Sequence, residues 1–411
     1  MSIIADFHIH SKYSRATSGQ MEVESLSKWA KIKGINLLGT GDWTHPRWLT
    51  ELKKKLTPAG RGLYEYDGSF FILTVEVYNR FYRNEKAKHV HNLIFAPSFD
   101  VADEINGKLS EYGNLDSDGR PILHMDPVLL VKEVLKIDKN CLIVPGHIWT
   151  PHFSLFGSNS GFNSIEDCFQ DQAKNIFALE TGLSSDPAMN WRWSALDRFT
   201  LISNSDSHSP ARIGREANIL DVEMDYNQII NALKERKSGR FQSTVEFFPE
   251  EGKYHYDGHR LCGSRLAPSE TKRLKGLCPS CGKRVTVGVM NRLEELCDRE
   301  EGFKLEGAPP FRHLVPLDEI VAQALGVGVN TVSVENEYNS LIKRLGTEFD
   351  ILLNVPAEVL KENVSPKITL GILNMRKGNV KIQAGYDGEY GKVEFFAEGA
   401  DELIEKQFEL F

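Results

Sequence analysis

The chain has 411 residues, 41% hydrophobic and 26% charged, and its 49 Lys and Arg against 57 Asp and Glu give a formal net charge of −8. The length exceeds that of one ordinary domain, and the composition is that of a folded globular protein, not of a fibrous or low-complexity one. No run of about eighteen apolar residues offers a membrane span, and six cysteines in a chain this long do not make a disulfide framework, so the cytoplasm is the expected compartment.

The opening MSIIADFHIH enters a strand at once, without a basic and apolar leader. The apolar run 3–7 leads into His8 and His10. Six more strand-like runs follow, each with a metal-ligand type of residue at one end. Run 36–39 precedes Asp42, and 70–75 precedes Glu76. Run 92–96 begins just after His91. Run 141–145 precedes His147, 176–179 precedes Glu180, and 199–205 leads into Asp206 and His208. Helices are predicted over 22–33 and over 126–135, where Asp126 and Pro127 supply an N-cap and a first-turn proline. Segments 50–66 and 100–125 read as insertions with short helices, and 157–171 as a long rim loop. Strand–helix alternation over 1–250 predicts parallel strands with crossovers.

Near residue 250 the pattern changes. A compact Cys/His segment occupies 251–301. A Pro- and Gly-rich linker, 302–311, opens a mostly helical region, 302–411, with amphipathic helices predicted at 317–325 and 332–345, another from 357, and a hairpin of 380–384 with 392–396. Between residues 253 and 293 nine Lys and Arg face two Asp and Glu, a local charge of +7 that leaves −15 for the rest. Such an island is either a solvated surface or a phosphate-facing module.

A lone strand-end histidine is usually capped or half-buried, and a lone strand-end carboxylate such as Asp42 or Glu180 often caps the next helix. The joint pattern is different, because a barrel core needs apolar strands but gives no reason for His, Asp or Glu at so many ends. Strands that deliver these side chains to one rim predict a metal cluster at a barrel mouth. His8 and His10, two apart on a strand, share a face. Glu76 can bridge two ions with its two oxygens.

The runs Asp6-Phe7-His8-Ile9-His10-Ser11, Gly39-Thr40-Gly41-Asp42, Val75-Glu76-Val77 and Ser205-Asp206-Ser207-His208 resemble the motifs of the polymerase-and-histidinol-phosphatase (PHP) superfamily. The resemblance covers about the first 215 residues. It implies an α/β fold, a distorted seven-stranded barrel, and metal-dependent phosphoester hydrolysis. It also implies metal ligands at His8, His10, Glu76, His91, His147, Asp206 and His208, holding two or three divalent ions (Zn, Mn or Mg). Two histidines usual in the superfamily are replaced here, one by Trp43 and one in the region of Ser14 and Arg15. Either two ions bind, or Asp42 and His45 rebuild a third site. Asp6, Arg15 and Glu180 are expected to support the chemistry, Arg15 by contacting a phosphate.

His259-x2-Cys262 and Cys278-x2-Cys281 have zinc-site spacing at both ends. His255 and Cys297 are alternative fourth ligands, and a redox pair is the competing reading. A closed four-ligand zinc site would shape a surface. Lys272, Arg273, Lys275, Lys283 and Arg284 beside it favour contact with a nucleic-acid backbone. A PHP barrel followed by this module and a helical tail resembles the endonuclease Q family. That resemblance implies nicking of DNA 5′ to uracil, hypoxanthine, xanthine and abasic sites, with the damaged nucleotide flipped into a pocket. Candidates for reading single- or double-stranded DNA there are Trp149, His152, Phe153, Phe156, Asn190, Trp191, Arg192 and Trp193. Taken singly, each reads better as an ordinary loop anchor. Residues 407–411 carry the first half of a sliding-clamp-binding pattern, or a frayed terminal helix. The rival functions are a small-molecule phosphatase and a non-catalytic nucleic-acid-binding barrel.

Overall fold

The computed structural model describes residues 2–236 and 239–396. The clamp-like tail at 407–411 lies outside them.

Seven strands form a ring in the order Ile3–Asp6, Leu37–Gly39, Ser69–Arg83, Lys86–Ala96, Leu142–Pro145, Ala178–Glu180 and Thr200–Ile202. The first five are joined by ladders, and the last two pair with each other. The remaining joints close at the rim. Ile148 N–H donates to the Glu180 carbonyl at 3.1 Å, and Ile9 bridges Ser207. The barrel is therefore distorted, as the sequence resemblance implies.

The parallel pattern expected over 1–250 fails where Ala217–Leu220 pairs antiparallel with Ile3–Asp6 and with Phe241–Glu246, and at one strand within the ring. Lys86–Ala96 runs antiparallel to both neighbours. It is linked to Ser69–Arg83 by two residues, Asn84 and Glu85, both with positive φ. So short a link permits a hairpin and no crossover. The reversal explains why His91 stands before its apolar run while the other candidate ligands stand after theirs.

The barrel interior draws on every strand. Ile3, Ala5, Leu37, Ile72, Leu93, Leu142, Val144, Ala178 and Ile202 form one buried cluster, sealed by Tyr226, Ile229, Ile230 and Leu233 of helix Tyr226–Lys234. Strand alternation supplies the inward set. The predicted helix after residue 126 is Pro127–Ile137, with the Asp126 carboxylate accepting from Val128 N–H at 2.8 Å. The insertions hold helices Pro46–Lys55 and Phe99–Leu109.

The sheet continues past Ile3–Asp6 through Ala217–Leu220, Phe241–Glu246 and Phe311–His313. The linker segment thus ends in a strand of the barrel sheet. Helices Leu317–Leu325, Val332–Leu345, Ala357–Asn363 and Pro366–Lys377 follow. They are tied to the barrel by Arg212, which pairs with Asp318 and Glu319, and by a buried ion pair. Lys33 Nζ, at the end of helix Val23–Lys33, lies 2.7 Å from Glu348 Oε2, and both side chains are almost fully buried. The hairpin Lys381–Gln383 with Lys392–Glu394 closes onto the Cys/His module. Its Asp387 accepts from Arg260 N–H and the Thr286 hydroxyl.

Removing the cation in Lys33→Met leaves the Glu348 carboxyl buried without its partner, and should cost about 3–5 kcal/mol. Urea unfolding measures it, and a loss below about 1 kcal/mol would mean the pair is not desolvated as described. A second expectation concerns Glu246, whose carboxyl is fully buried beside Glu216. Burial pushes it up from 4.5 to about 7, against hydrogen bonds from Thr244 and Thr181. The folded state then binds a proton that the unfolded state has lost. Its contribution to stability is full below about 4.5 and is lost as pH rises through about 7. Urea midpoints across that window should decline more steeply in the wild type than in Glu246→Gln, and equal slopes would refute the assignment.

Candidate metal centre

Glu76 lies in the Ser69–Arg83 strand, is fully buried, and faces two sets of donors. Oε2 lies 3.4 Å from His10 Nε2 and 3.6 Å from His8 Nε2. Asp206 Oδ1 completes that set, 3.0 Å from His10 Nε2 and 3.6 Å from His8 Nε2. Oε1 faces the second set, 2.6 Å from His91 Nδ1 and 2.9 Å from His147 Nε2, with those two nitrogens 3.2 Å apart. Donor atoms gathered within 4.8 Å of one another in each set suit a divalent ion bonded at about 2.0–2.2 Å. His8 Nε2 supports the fit, because it is buried, aimed into the first set, and has no hydrogen-bond partner.

The backbone delivers these groups at a conformational cost. His147 and Asp206 have positive φ, as does Asp42, a region that side chains other than glycine rarely occupy and that persists only where surroundings enforce it. At Asp206 the enforcement is visible. Asp6 accepts from Ser205 N–H at 3.1 Å, Ser205 Oγ at 2.6 Å and Gly214 N–H at 2.9 Å. Gly39 is needed at its strand end, where a Cβ would lie 2.3 Å from both the Phe7 carbonyl and Thr74 Oγ1.

Behind the histidines stands a row of orienting carboxylates. Glu180 lies 3.0 Å from His8 Nδ1 through each oxygen and accepts from His147 N–H and Asn204 Nδ2, both at 2.8 Å. This is the carboxylate–histidine pairing that fixes a ligand's tautomer and leaves Nε2 for a metal. Asp42 does the same for His10, at 3.1 Å from Nδ1. The expectation of Asp42 as a ligand is corrected here. Its oxygens are taken by His10, Ser11 N–H and Ser14 Oγ, and it belongs to neither donor set. His208 also lies outside both sets. Its Nδ1 is 2.9 Å from the Asp206 carbonyl and its ring 4.5 Å from that of His10. His45 stacks on Tyr13 and faces Asp116.

The electrostatics favour cation binding. Burial would raise Glu76, but His91, Arg120 and His8 overcome it and hold the carboxyl well below the usual range. Burial pushes His91 down to about 4, so its ring is neutral and free to ligate near pH 7.

Residues 316–379 match the MJ0043 C-terminal domain family. An uncharacterized Methanocaldococcus jannaschii protein, MJ0043, is 35% identical over 60% of this chain, and the match spans 31% of its own length. The Bacillus subtilis protein YqxK is 30% identical over 95% of this chain and 99% of its own. The crystal structure of the lesion-specific endonuclease PfuEndoQ from Pyrococcus furiosus superposes with a TM-score of 0.87 at 32% identity, covering 97% of this chain and 96% of that one. The chain belongs to the endonuclease Q family. An endonuclease Q complex with a 27-mer duplex carrying an abasic lesion at the active site is equally similar, with a TM-score of 0.85, 32% identity, and coverage of 97% and 98%.

The Cys/His module expected from the ligand spacing is assembled in the chain. His259, Cys262, Cys278 and Cys281 converge within 4.8 Å, a donor set that fits a closed zinc site. A hydrogen bond from Ser264, 3.3 Å away, holds the Cys278 thiol down to about 6. His255 is buried against Tyr256, and Cys297 faces Arg192 and Glu294, so neither alternative ligand joins the set. Lys272, Arg273, Lys283 and Arg284 are all exposed.

Several expected base-reading residues are loop anchors instead. Trp149 and Asn190 are fully buried and hydrogen-bonded to each other at 2.8 Å. Arg192 is buried against Glu294 of helix Val289–Leu296. Trp191 packs on Phe311. Phe156 and Trp193 are buried against each other. His152 and Phe153 remain on the rim, with Phe153 43% exposed and stacked on His91. Arg15 is 81% exposed and pairs with Asp118. The residue that sequence reasoning missed is Arg120, whose Nη1 lies 3.2 Å from Glu76 Oε2. It sits in an insertion read as a loop, without periodicity or motif to mark it.

Metal content separates the two layers. Glu76→Ala should abolish binding in both donor sets, whereas Glu180→Gln should retain the stoichiometry and weaken affinity about 10–100-fold. Titration with Mn²⁺ or Zn²⁺ reads this, and unchanged stoichiometry in Glu76→Ala would remove the bridging role.

Proposed function

We propose that this chain is a DNA repair endonuclease that hydrolyses the phosphodiester bond 5′ to a damaged nucleotide, at abasic sites and at deaminated bases such as uracil, hypoxanthine and xanthine. The observation that carries the reading is Glu76, one buried carboxylate shared by two convergent donor sets at the barrel rim. The whole-length likeness to endonuclease Q structures, one of them with an abasic-site duplex, supports it.

His8, His10 and Asp206 would hold one ion, with His208 beside them, and His91 and His147 the other, with Glu76 between. Ions of the Zn, Mn or Mg class supply a nucleophilic water near neutral pH and charge for the attacking and leaving oxygens. The protein's part is to orient. Glu180 and Asp42 fix the rings of His8 and His10. Asp6 holds the loop that presents Asp206. Water oxygen bonds to phosphorus as the bond to the 3′-oxygen breaks, leaving a 3′-hydroxyl and a 5′-phosphate.

Reading a lesion requires the nucleotide to leave the stack. The exposed Phe153 ring offers a stacking face beside the centre. A cavity of about 1220 Å³, bounded by Lys86, Lys88, His152, Asn159 and Tyr254, meets the rim at His152, which lies against Phe153. The exposed cations of the Cys/His module would track the backbone of double- or single-stranded DNA, so binding should weaken steeply with salt. The zinc there is structural in this reading. A sliding clamp is a further partner in it, through 407–411, and the compartment is the cytoplasm at the nucleoid.

A labelled duplex with one abasic site, deoxyuridine or deoxyinosine, set against an undamaged duplex, tests the reading. Lesion-dependent nicking on the 5′ side, lost with chelator and in Asp206→Ala, is the expected outcome. Inactivity on every duplex, with hydrolysis of a small phosphomonoester, would replace it with a phosphatase.

A further inference from the structure

The Arg120 guanidinium lies against the carboxylate that joins the two donor sets. Nη1 is 3.2 Å from Glu76 Oε2, and the side chain remains 28% exposed while Glu76 is completely buried. Among the described residues its other guanidinium nitrogens have no hydrogen-bond partner. A planar fork with free donors, fixed at the open side of an anion-processing centre, matches the geometry of a phosphate.

The loop beneath it is pinned from several sides. The Asp118 carboxylate accepts from Arg120 N–H at 3.1 Å, and Gly119 N–H donates to the Tyr13 carbonyl at 3.1 Å. Thr44 Oγ1 donates to the Gly119 carbonyl at 3.3 Å. Gly119 itself packs on Asp42, where a Cβ would lie 2.2 Å from Oδ2. This contact covers Asp42, in the region where the superfamily's extra histidines are replaced.

Charge balance gives the arrangement a purpose. Glu76, Asp206, Asp42 and Glu180 together match two divalent cations. Arg120 is then a surplus cation at the opening, and a like-charged neighbour of bound metal is unfavourable unless an anion comes between them. The anion that fits is the phosphate to be cleaved.

We propose that Arg120 is a catalytic residue, whose guanidinium contacts a non-bridging oxygen of the scissile phosphate and stabilises the charge that grows there as water adds and the 3′-oxygen departs. Arg120 stays protonated throughout, and the 3′-oxygen takes its proton from solvent. The proposal rests on the endonuclease reading above.

The test compares wild type, Arg120→Ala and Arg120→Lys on an abasic-site duplex under single turnover, with metal per chain and duplex affinity measured on the same samples. Arg120→Ala should be slower by about 10²–10³-fold, with bound metal and duplex affinity within about threefold of wild type, a split expected when a contact strengthens in the transition state. Arg120→Lys should fall between the two, since it keeps charge but loses the fork. Millimolar guanidinium should restore part of the Arg120→Ala rate, and urea should not. A readout independent of turnover is affinity for a 5′-phosphorylated nicked duplex, which should drop in Arg120→Ala relative to the same nick without phosphate. Loss of bound metal in Arg120→Ala would make the residue a support for Glu76 and overturn the proposal, as would an unchanged rate. If the wild type itself cuts no lesion duplex, the endonuclease reading fails first. If it cuts and Arg120→Ala cuts equally well, only the role of Arg120 fails.

Discussion

A carboxylate with no access to water is a demand that the rest of the barrel mouth answers. Glu76 is buried on the Ser69–Arg83 strand, and an isolated ionised carboxylate in such surroundings would cost far more than a domain's net stability. It stays ionised because four histidines and a guanidinium converge on it from four separate segments of chain. Each histidine in the first set has its own carboxylate behind it, so charge alternates outward in shells. The short strands, left-handed rim residues and long loops make sense as the means of bringing those segments to one point.

The same demand explains the barrel's irregularities. The reversed strand Lys86–Ala96 lets a single hairpin contribute both Glu76 and His91 to one rim. Parallel strands with crossovers would spend a helix between them. The joints flanking Ala178–Glu180 and Thr200–Ile202 close through a few rim contacts in place of a ladder. A full ladder would fix those strand ends, whereas the open joints leave the loops after Pro145 and Ile202 free to turn His147 and Asp206 inward.

Much of this was legible in the sequence, and the reason is periodicity. Short strands ending in His, Asp or Glu mark a rim because strand geometry alone sets where the next side chain goes, so His8, His10, Glu76 and Asp206 were foreseen together. The helices at Leu317–Leu325 and Val332–Leu345 were foreseen with the same bounds, since their apolar faces repeat with the helical period. What could not be read depends on contacts distant in the chain. Asp42 was taken for a ligand because a carboxylate at a strand end looks the same whether it faces an ion or a ligand's far nitrogen. Trp149, Asn190 and Arg192 stand in loops that a sequence places at the rim, but Trp149 and Asn190 bury against each other and Arg192 against Glu294 of the helix Val289–Leu296. Arg120 sits in a turn held by Tyr13 and Thr44, partners no local pattern reveals.

The strand Phe311–His313 lies at the outer edge of the barrel sheet, parallel to Phe241–Glu246. It covers a row of backbone donors and acceptors that would otherwise face solvent. Native sheets guard such rows, because an open one is a template for pairing with any extended chain. The helical region is therefore more than an appendage reached through a linker, since the chain entering it serves as the barrel's selvedge. A protein truncated before this strand would keep every candidate ligand, yet present a bare sheet margin, inviting self-association before any question of catalysis arose.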